Sequence, residues 1–532
     1  MARPIRTALV AAVAGALILA VAACSPGGSP AAGQGLPNDV TQVMDSARYS
    51  SSRWGLLTYN LKTGRNEMQL NERQFFVPAS TAKLYSLGAA WHTFGPDHRF
   101  TTPVYRQGAM TNGTLAGDLV LVASGDLTMG GRTKADGSVS FANLDHNDAN
   151  GIPGATLIPE DPLGGLNQLA SQVKASGVTR VSGDVIIDDR LFQLDREQNA
   201  EAPATPIVIN DNLIDMVSTP TAVGQPAKLD YRPHTSAYTV TSTVRTVEAG
   251  QPAQVTSRVV APGRIELTGQ VPMGITPPLL HVQQVEDPAA FARSAFIDAL
   301  RLAGVTVDVS ASGANPSGAL PPKSSYAAGN RVAAYVSPVF SEYVKLILKV
   351  SHNLGANLTV CLLAVRAGST DCLDGLEVER DFLRDVARVP VEQVVLNDGQ
   401  GGSLGDVVTP TATVALLRYF QTRPDFARFR ASLPVLGRDG SLAMVVPDSP
   451  AAGHVQAKTG TLAAGDLLNN RLLMPSKALA GYIDTSNGQL LAFSLVVNYV
   501  PASSIDDVLQ VNTDLGRVAA AIWGPRGAKG RS

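Results

Sequence analysis

Three short stretches of this chain hold side chains that together could form an activated nucleophile. Pro78-Ala79-Ser80-Thr81-Ala82-Lys83 sets a hydroxyl and an amine three residues apart. The run Phe75-Phe76-Val77-Pro78 reads as a chain entering a helix near Ala79 or Ser80, which continues to about Phe94. Residues i and i+3 of a helix share a face, so Ser80 and Lys83 can touch. A serine at that point lies in the positive field of the helix N-terminus, which favours an anion forming on it. A neutral lysine beside it could take its proton. Ser-x-x-Lys alone is a weak pattern, as Ser171-Gln172-Val173-Lys174 shows. Its weight comes from order: Ser351-His352-Asn353 follows, and then Lys458-Thr459-Gly460-Thr461. A second Lys-Thr-Gly, Lys62-Thr63-Gly64, precedes Ser80 inside a hairpin turn and reads as structural.

The elements that must position these groups come from both ends of a 532-residue chain, long enough for two or three domains. "WGLLTYNLKTGRNEMQLN" is a hairpin, and the Ser80 helix follows it. From Pro103 to about Pro321 the texture becomes short strands between Gly, Asn and Pro, implying mainly antiparallel sheets. Within it, "GDLVLV" and "GDVIID" hint at a repeated hairpin. Helical patterns return at Pro288–Leu302 and Val339–Val350. Thr409-Pro410 reads as an N-cap with proline at the first helical position. Asn487-Gly488 is a strong hairpin signal, and a last helix runs from Ser504 to Trp523. The expected architecture is α/β (α+β). One domain is formed by 39–102 with 322–525, a β-rich insertion spans 103–321, and 526–532 is a tail.

Composition narrows the partners. Hydrophobic content of 45%, charged content of 17% and net charge −2 describe a globular protein with no electrostatic reason to bind nucleic acid. Arg3 and Arg6 precede the apolar stretch Thr7–Ala23, which ends in Val21-Ala22-Ala23-Cys24. This reads as a signal peptide over 1–23, with Cys24 in a lipobox-like position for lipidation; an uncleaved anchor is the rival. The Gly, Pro and Ser residues of 25–38 read as a flexible tether, so that 24–38 joins lipid to fold. Either reading exports the body of the protein. It would lie at the outer face of the cytoplasmic membrane, or in the cell wall or outside the cell. Cys361 and Cys372 remain, as a disulfide or as buried thiols.

With these motifs in order, the sequence resembles the penicillin-recognising serine peptidases. More closely, it is similar to the class C low-molecular-mass penicillin-binding proteins, the D-alanyl-D-alanine carboxypeptidase/endopeptidase family. That family has a β-lactamase/transpeptidase-like domain with a large insertion after the active-site helix. "GDLVLVASGDLTMGG", "VSGDVIIDDRLF", "IVINDNLIDMVSTPT", "SLPVLGRDGSL" and "QAKTGTL" look like family blocks within roughly Val40 to Trp523. The resemblance implies that Ser80 attacks the penultimate D-Ala carbonyl, with Lys83 as base. Ser351 would relay the proton and Asn353 hold the substrate amide. Lys458 would be the neighbouring cation that, with burial, lowers the pKa of Lys83. Thr459 and Thr461 would bind the terminal carboxylate, and Gly460 would let substrate backbone approach. Backbone N–H groups of Ser80 and Thr461 would form the oxyanion hole, and Asp188 would bind an amino group of the peptide.

The implied partners are peptidoglycan peptides ending in D-Ala-D-Ala, β-lactams as inhibitors, and the membrane through the lipid; no cofactor and no metal is implied. The family's usual Asp and Glu in and after Ser-x-Asn are here His352 and Asn357, and its Asp-Gly-Ser-Gly-Leu-Ser block is Asp398-Gly399-Gln400-Gly401-Gly402-Ser403. Two other readings stay open: a cell-wall binding lipoprotein that is acylated but turns over poorly, and a β-lactamase or esterase. The Gly401-Gly402-Ser403-Leu404-Gly405 match to a hydrolase elbow fails, because the helix starts too late, at Pro410. The seven histidines show no His-Glu-x-x-His, and His352 and His454 read as surface or loop residues.

Overall fold

The apolar strand "LLAFSLVVNY" has no polar face, so it must be covered on both sides. In the computed structural model, which describes residues 36–193 and 203–524, it is the middle of a five-stranded sheet. The order is Val455–Asp466, Arg471–Asp484, Leu490–Ala502, Arg53–Asn60, Arg65–Leu70, every pair antiparallel. Strands from the two chain ends meet where Arg53–Asn60 pairs with Leu490–Ala502. Successive side chains point to opposite faces. Leu57, Ala480, Tyr482 and Ala492 therefore join the core beneath the helices Lys83–Phe94, Phe340–Val350, Asn353–Arg366 and Pro410–Gln421. Leu56, Leu479, Ile483, Leu491 and Phe493 face the other way, onto Asn38–Met44 and Ile505–Trp523.

Local signals hold at several boundaries. Lys62–Gly64 is the turn between the first two strands. Pro288–Leu302 is a helix. Thr409 caps the helix beginning at Pro410 by accepting the Ala412 N–H, and Ser504 does the same for the last helix. Cys361 and Cys372 form a disulfide.

The stretch after Thr101 is antiparallel in part, as where Leu213–Thr219 pairs with Lys228–Arg232 and Leu279–Gln284, but not throughout. Its six-stranded sheet is mixed: Thr114–Val122 pairs antiparallel with Thr101–Thr111 but parallel with Arg180–Val181 and Val185–Asp188. The helix Gly164–Ala175 lies in the connection, which gives parallel strands the crossover they need. The two similar segments seen in the sequence thus pair with each other, Leu119 to Val185 through Val122 to Asp188, and do not form a repeated hairpin. Arg331–Val336, from beyond position 321, adds the last strand beside Thr101–Thr111. Among the described residues, no helix is long and apolar enough to cross a membrane. The expected signal, Cys24 and most of the tether lie outside the described residues.

Candidate active site

Ser80 does not open an α-helix directly. It sits in a 3-10 turn, Ala79–Ala82, that runs into the α-helix at Lys83. In a 3-10 turn side chains i and i+3 eclipse, so the pair is brought closer than on an α-helix. The turn is anchored to the sheet: Asn498 accepts the Val77 N–H at 2.9 Å, and Ser476 donates to the Val77 carbonyl at 2.6 Å. Ala79 is left-handed at φ 46°, a conformation an alanine keeps only when its surroundings hold it. Two close approaches explain nearby glycines. A Cβ on Gly401 would stand 2.1 Å from the Ala79 carbonyl, and one on Gly460 would stand 2.6 Å from the Pro78 carbonyl. Gly460 is therefore required by the Ser80 turn itself, besides any need of a substrate.

Lys83 is fully buried, and its Nζ has three partners. These are Ser80 Oγ at 2.8 Å, Asn353 Oδ1 at 2.7 Å and the Gln400 carbonyl at 3.0 Å. Two of these are pure acceptors, which use two N–H groups. A neutral amine then has one lone pair left, facing the one partner that can donate, the Ser80 hydroxyl. Burial pushes the Lys83 pKa down to about 7, against Asp398 and Asp148, which favour the ammonium. Asp398 also holds the loop that delivers the Gln400 carbonyl, accepting from the N–H groups of Gln400 at 2.9 Å and Gly401 at 2.6 Å.

Lys458 lies in the edge strand of the main sheet and is also fully buried. It donates to Ser351 Oγ at 2.9 Å and to the Thr459 carbonyl at 2.7 Å. Its charge and that of Lys83 oppose one another, an effect secondary to burial. Burial is the leading cause at Lys83, and Lys458 is itself driven well down by burial and by the nearby charges of Lys83 and Lys477. The two motif lysines thus divide the Ser351-His352-Asn353 turn between them, Lys458 bonded to Ser351 and Lys83 to Asn353. Thr459 is buried and shares a 2.7 Å hydrogen bond with Ser441, whereas Thr461 is exposed and accepts from Lys477 at 2.6 Å.

A family model described as the D-Ala-D-Ala carboxypeptidase 3 (S13) family matches residues 36–515. The chain belongs to this family. It is 28% identical over 488 residues to the D-alanyl-D-alanine carboxypeptidase of Actinomadura sp. (strain R39), covering 87% of this chain and 81% of that one. It is 22% identical over 485 residues to the D-alanyl-D-alanine carboxypeptidase DacB of Haemophilus influenzae, covering 87% and 88%. The crystal structure of penicillin binding protein 4 from Haemophilus influenzae superposes with a TM-score of 0.66 at 19% identity, over 90% of this chain and 98% of that one. The fold is that of penicillin binding protein 4.

The S13 chain carries site features that its motifs did not disclose. Lys477 is a third buried lysine, with its pKa lowered by burial to about 7. Asp148 lines a cleft of about 360 Å³ with Asn147, Asn150, Gln284, His352 and Asn353. Burial and Asp145 raise its pKa to about 6, although Lys83 and Lys458 draw it down. A lysine inside an apolar strand was the one available signal for Lys477; Asp148 offered none. His352, expected at the surface or in a loop, lies in the turn between two helices but is buried at 1% exposure, packed against Asp211. His454 is exposed.

Asp188 is buried and fully engaged, accepting from Arg190 at 2.8 and 2.7 Å and from Tyr326 at 2.6 Å. Burial opposes its charge, but these donors hold its pKa below the usual carboxylate value. Among the described residues, no hydrogen bond joins Asp188 to Ser80, Lys83, Ser351, Asn353 or Lys458. Asp145, His146 and Asp211 are spaced as a cation site could be. The Arg132 guanidinium already binds both carboxylates at 2.6 Å, so that charge is supplied by the protein.

Proposed function

We propose that this chain is a serine-type D-Ala-D-Ala carboxypeptidase that acts on peptidoglycan stem peptides through an acyl-enzyme on Ser80. The observation that carries this reading is the three-partner set of Lys83, in which a neutral amine can only receive from Ser80. Lys83 takes the Ser80 proton as Oγ attacks the carbonyl carbon of the penultimate D-Ala. The N–H groups of Ser80 and Thr461 receive the oxyanion, a contribution worth ~3 kcal/mol per donor. The C–N bond then breaks and D-Ala leaves, its amine protonated along Ser351, which Lys458 holds at 2.9 Å. Water hydrolyses the ester and restores Ser80. A β-lactam forms the same ester, but its leaving nitrogen stays tethered.

Asn353 positions the substrate amide. The terminal carboxylate meets Thr461 beside Lys477 and Lys458, with Thr459 behind, where the edge strand is open to substrate backbone. The cleft beyond Asn353 gives room for the stem peptide, and a cross-linked D,D bond would present the same chemistry. In this reading 39–102 and 322–525 form the catalytic domain and 103–321 its insertion, with Arg331–Val336 returning to the insertion's sheet. Asp188 remains a candidate for the peptide's amino group only where that group shares it with Arg190. Export with a lipid on Cys24 would hold the enzyme at the outer face of the cytoplasmic membrane, against the wall.

The test is release of D-Ala from a D-Ala-D-Ala peptide, run beside labelling with fluorescent penicillin. Both signals are expected. Labelling without release would favour the poorly turning-over binder, and fast release of hydrolysed penicillin would favour a β-lactamase.

A further inference from the structure

Ser351 and Asn353 are bonded to the two motif lysines, and His352 between them points the other way. Its Nδ1 accepts the Gly355 N–H at 2.9 Å and so caps the helix Asn353–Arg366. Its Nε2 is 2.9 Å from Asp211 Oδ2. A ring nitrogen that accepts carries no proton, so the proton is on Nε2 and is donated to Asp211. Asp211 is itself embedded in a network of charges. Arg132, His146 and Arg232 contribute three cations, and Asp145, Asp211 and Asp215 contribute three carboxylates, all joined by contacts of 2.6 to 3.1 Å. Burial opposes a charge on His146, but Asp215 and Asp211 push its pKa up to about 10. Burial likewise opposes Asp211, and Arg132 with the donated hydrogen bonds holds its pKa well below the usual value.

Both ends of the His352–Asp211 link are backbones under constraint. Ser351 is left-handed at φ 60°, and Asn210, Asp211 and Asn212 are left-handed in succession at 51°, 55° and 56°. Non-glycine residues hold such conformations where several contacts over-determine them. Asp211 is held by Arg132 at 2.6 Å and His146 at 2.7 Å, and it in turn holds His352.

We propose that His352 is a positioning residue: its Nε2–H bond to Asp211 fixes the left-handed Ser351 turn, so that the charge network around Asp211 sets where Ser351 and Asn353 meet Lys458 and Lys83. This rests on the acyl-enzyme reading for its catalytic consequence, but not for its geometry.

Two substitutions separate the ring's two bonds. His352→Asn keeps an oxygen that can accept from Gly355 and loses the donor to Asp211. His352→Gln can reach Asp211 with an amide N–H and loses the cap. Measured as the rate of penicillin acylation in protein whose melting shows it folded, His352→Asn falls at least tenfold while His352→Gln stays within about threefold of native. Native-like acylation of His352→Asn, or equal loss in both variants, would overturn the proposal. Nitrogen-15 spectra of the histidine rings in the native protein decide the geometry without catalysis. A proton on Nε2 with Nδ1 bare is expected; a proton on Nδ1, or on both, would overturn it even where Ser80 acylates normally. Failure of the native protein to acylate, with the Nε2–H ring present, would instead count against the function.

Discussion

Lys83 Nζ stands 2.8 Å from Ser80 Oγ in a site where its remaining hydrogen-bond partners are two carbonyl oxygens. An ammonium there would direct a proton at the nucleophile, whereas the neutral amine directs a lone pair. In the proposed mechanism, the protonation state of this one buried side chain separates a resting site from a reactive one.

Acylation should follow that protonation state. With the Lys83 pKa near 7, the rate of β-lactam acylation rises about tenfold per unit below pH 7 and levels above it. A stopped-flow profile from pH 5 to 9 checks this; a rate that falls as pH rises through 7 contradicts it.

Under the proposed mechanism, replacing Lys83 while keeping its bulk should stop the reaction and spare the fold. Lys83→Met lowers acylation by at least about 100-fold, the ordinary worth of general base catalysis. Because Met leaves no buried amine to desolvate, the variant melts at or above the native temperature.

Lys477 should cost stability that its loss returns. An unfolded lysine keeps its ordinary value of 10.5, while burial lowers the folded value to about 7. Between these limits the unfolded chain binds a proton that the folded chain does not, so stability rises with pH through that window. Lys477→Met removes the penalty, which is on the order of 4–5 kcal/mol at pH 7 and vanishes near pH 10.5. Denaturant melts of both proteins at pH 7.5 and pH 10 test the sign. The same variant binds a carboxylate-ended peptide more weakly, and amidating that carboxylate costs the native enzyme about tenfold in kcat/KM and the variant less.

The Cys361–Cys372 disulfide closes a short loop, with a sequence separation of 11. Replacing both cysteines by alanine lowers stability by roughly 2–3 kcal/mol. Acylation of the folded variant stays native, and calorimetry with the penicillin assay reads both.

Much of this was legible in the sequence because local chemistry dictated it. Thr409-Pro410 could only begin a helix, Lys62–Gly64 could only turn, and three ordered motifs had to converge if any were functional. The misses share a cause, which is pairing between distant segments. Nothing local tells that Val185–Asp188 lies parallel to Thr114–Val122, since both read as apolar strands. His352 looked like a loop histidine because Asp211, its partner, lies 141 residues away. Lys477 belongs to no motif, and only strand register places it opposite Thr461.

Whether Ser80 is the acylated nucleophile is read by peptide mass spectrometry after brief exposure to benzylpenicillin. The expected result is the mass of the whole penicillin added to the peptide containing Ser80, and no addition in Ser80→Ala. A folded native protein that stays unmodified, or that carries the adduct on another residue, would contradict it.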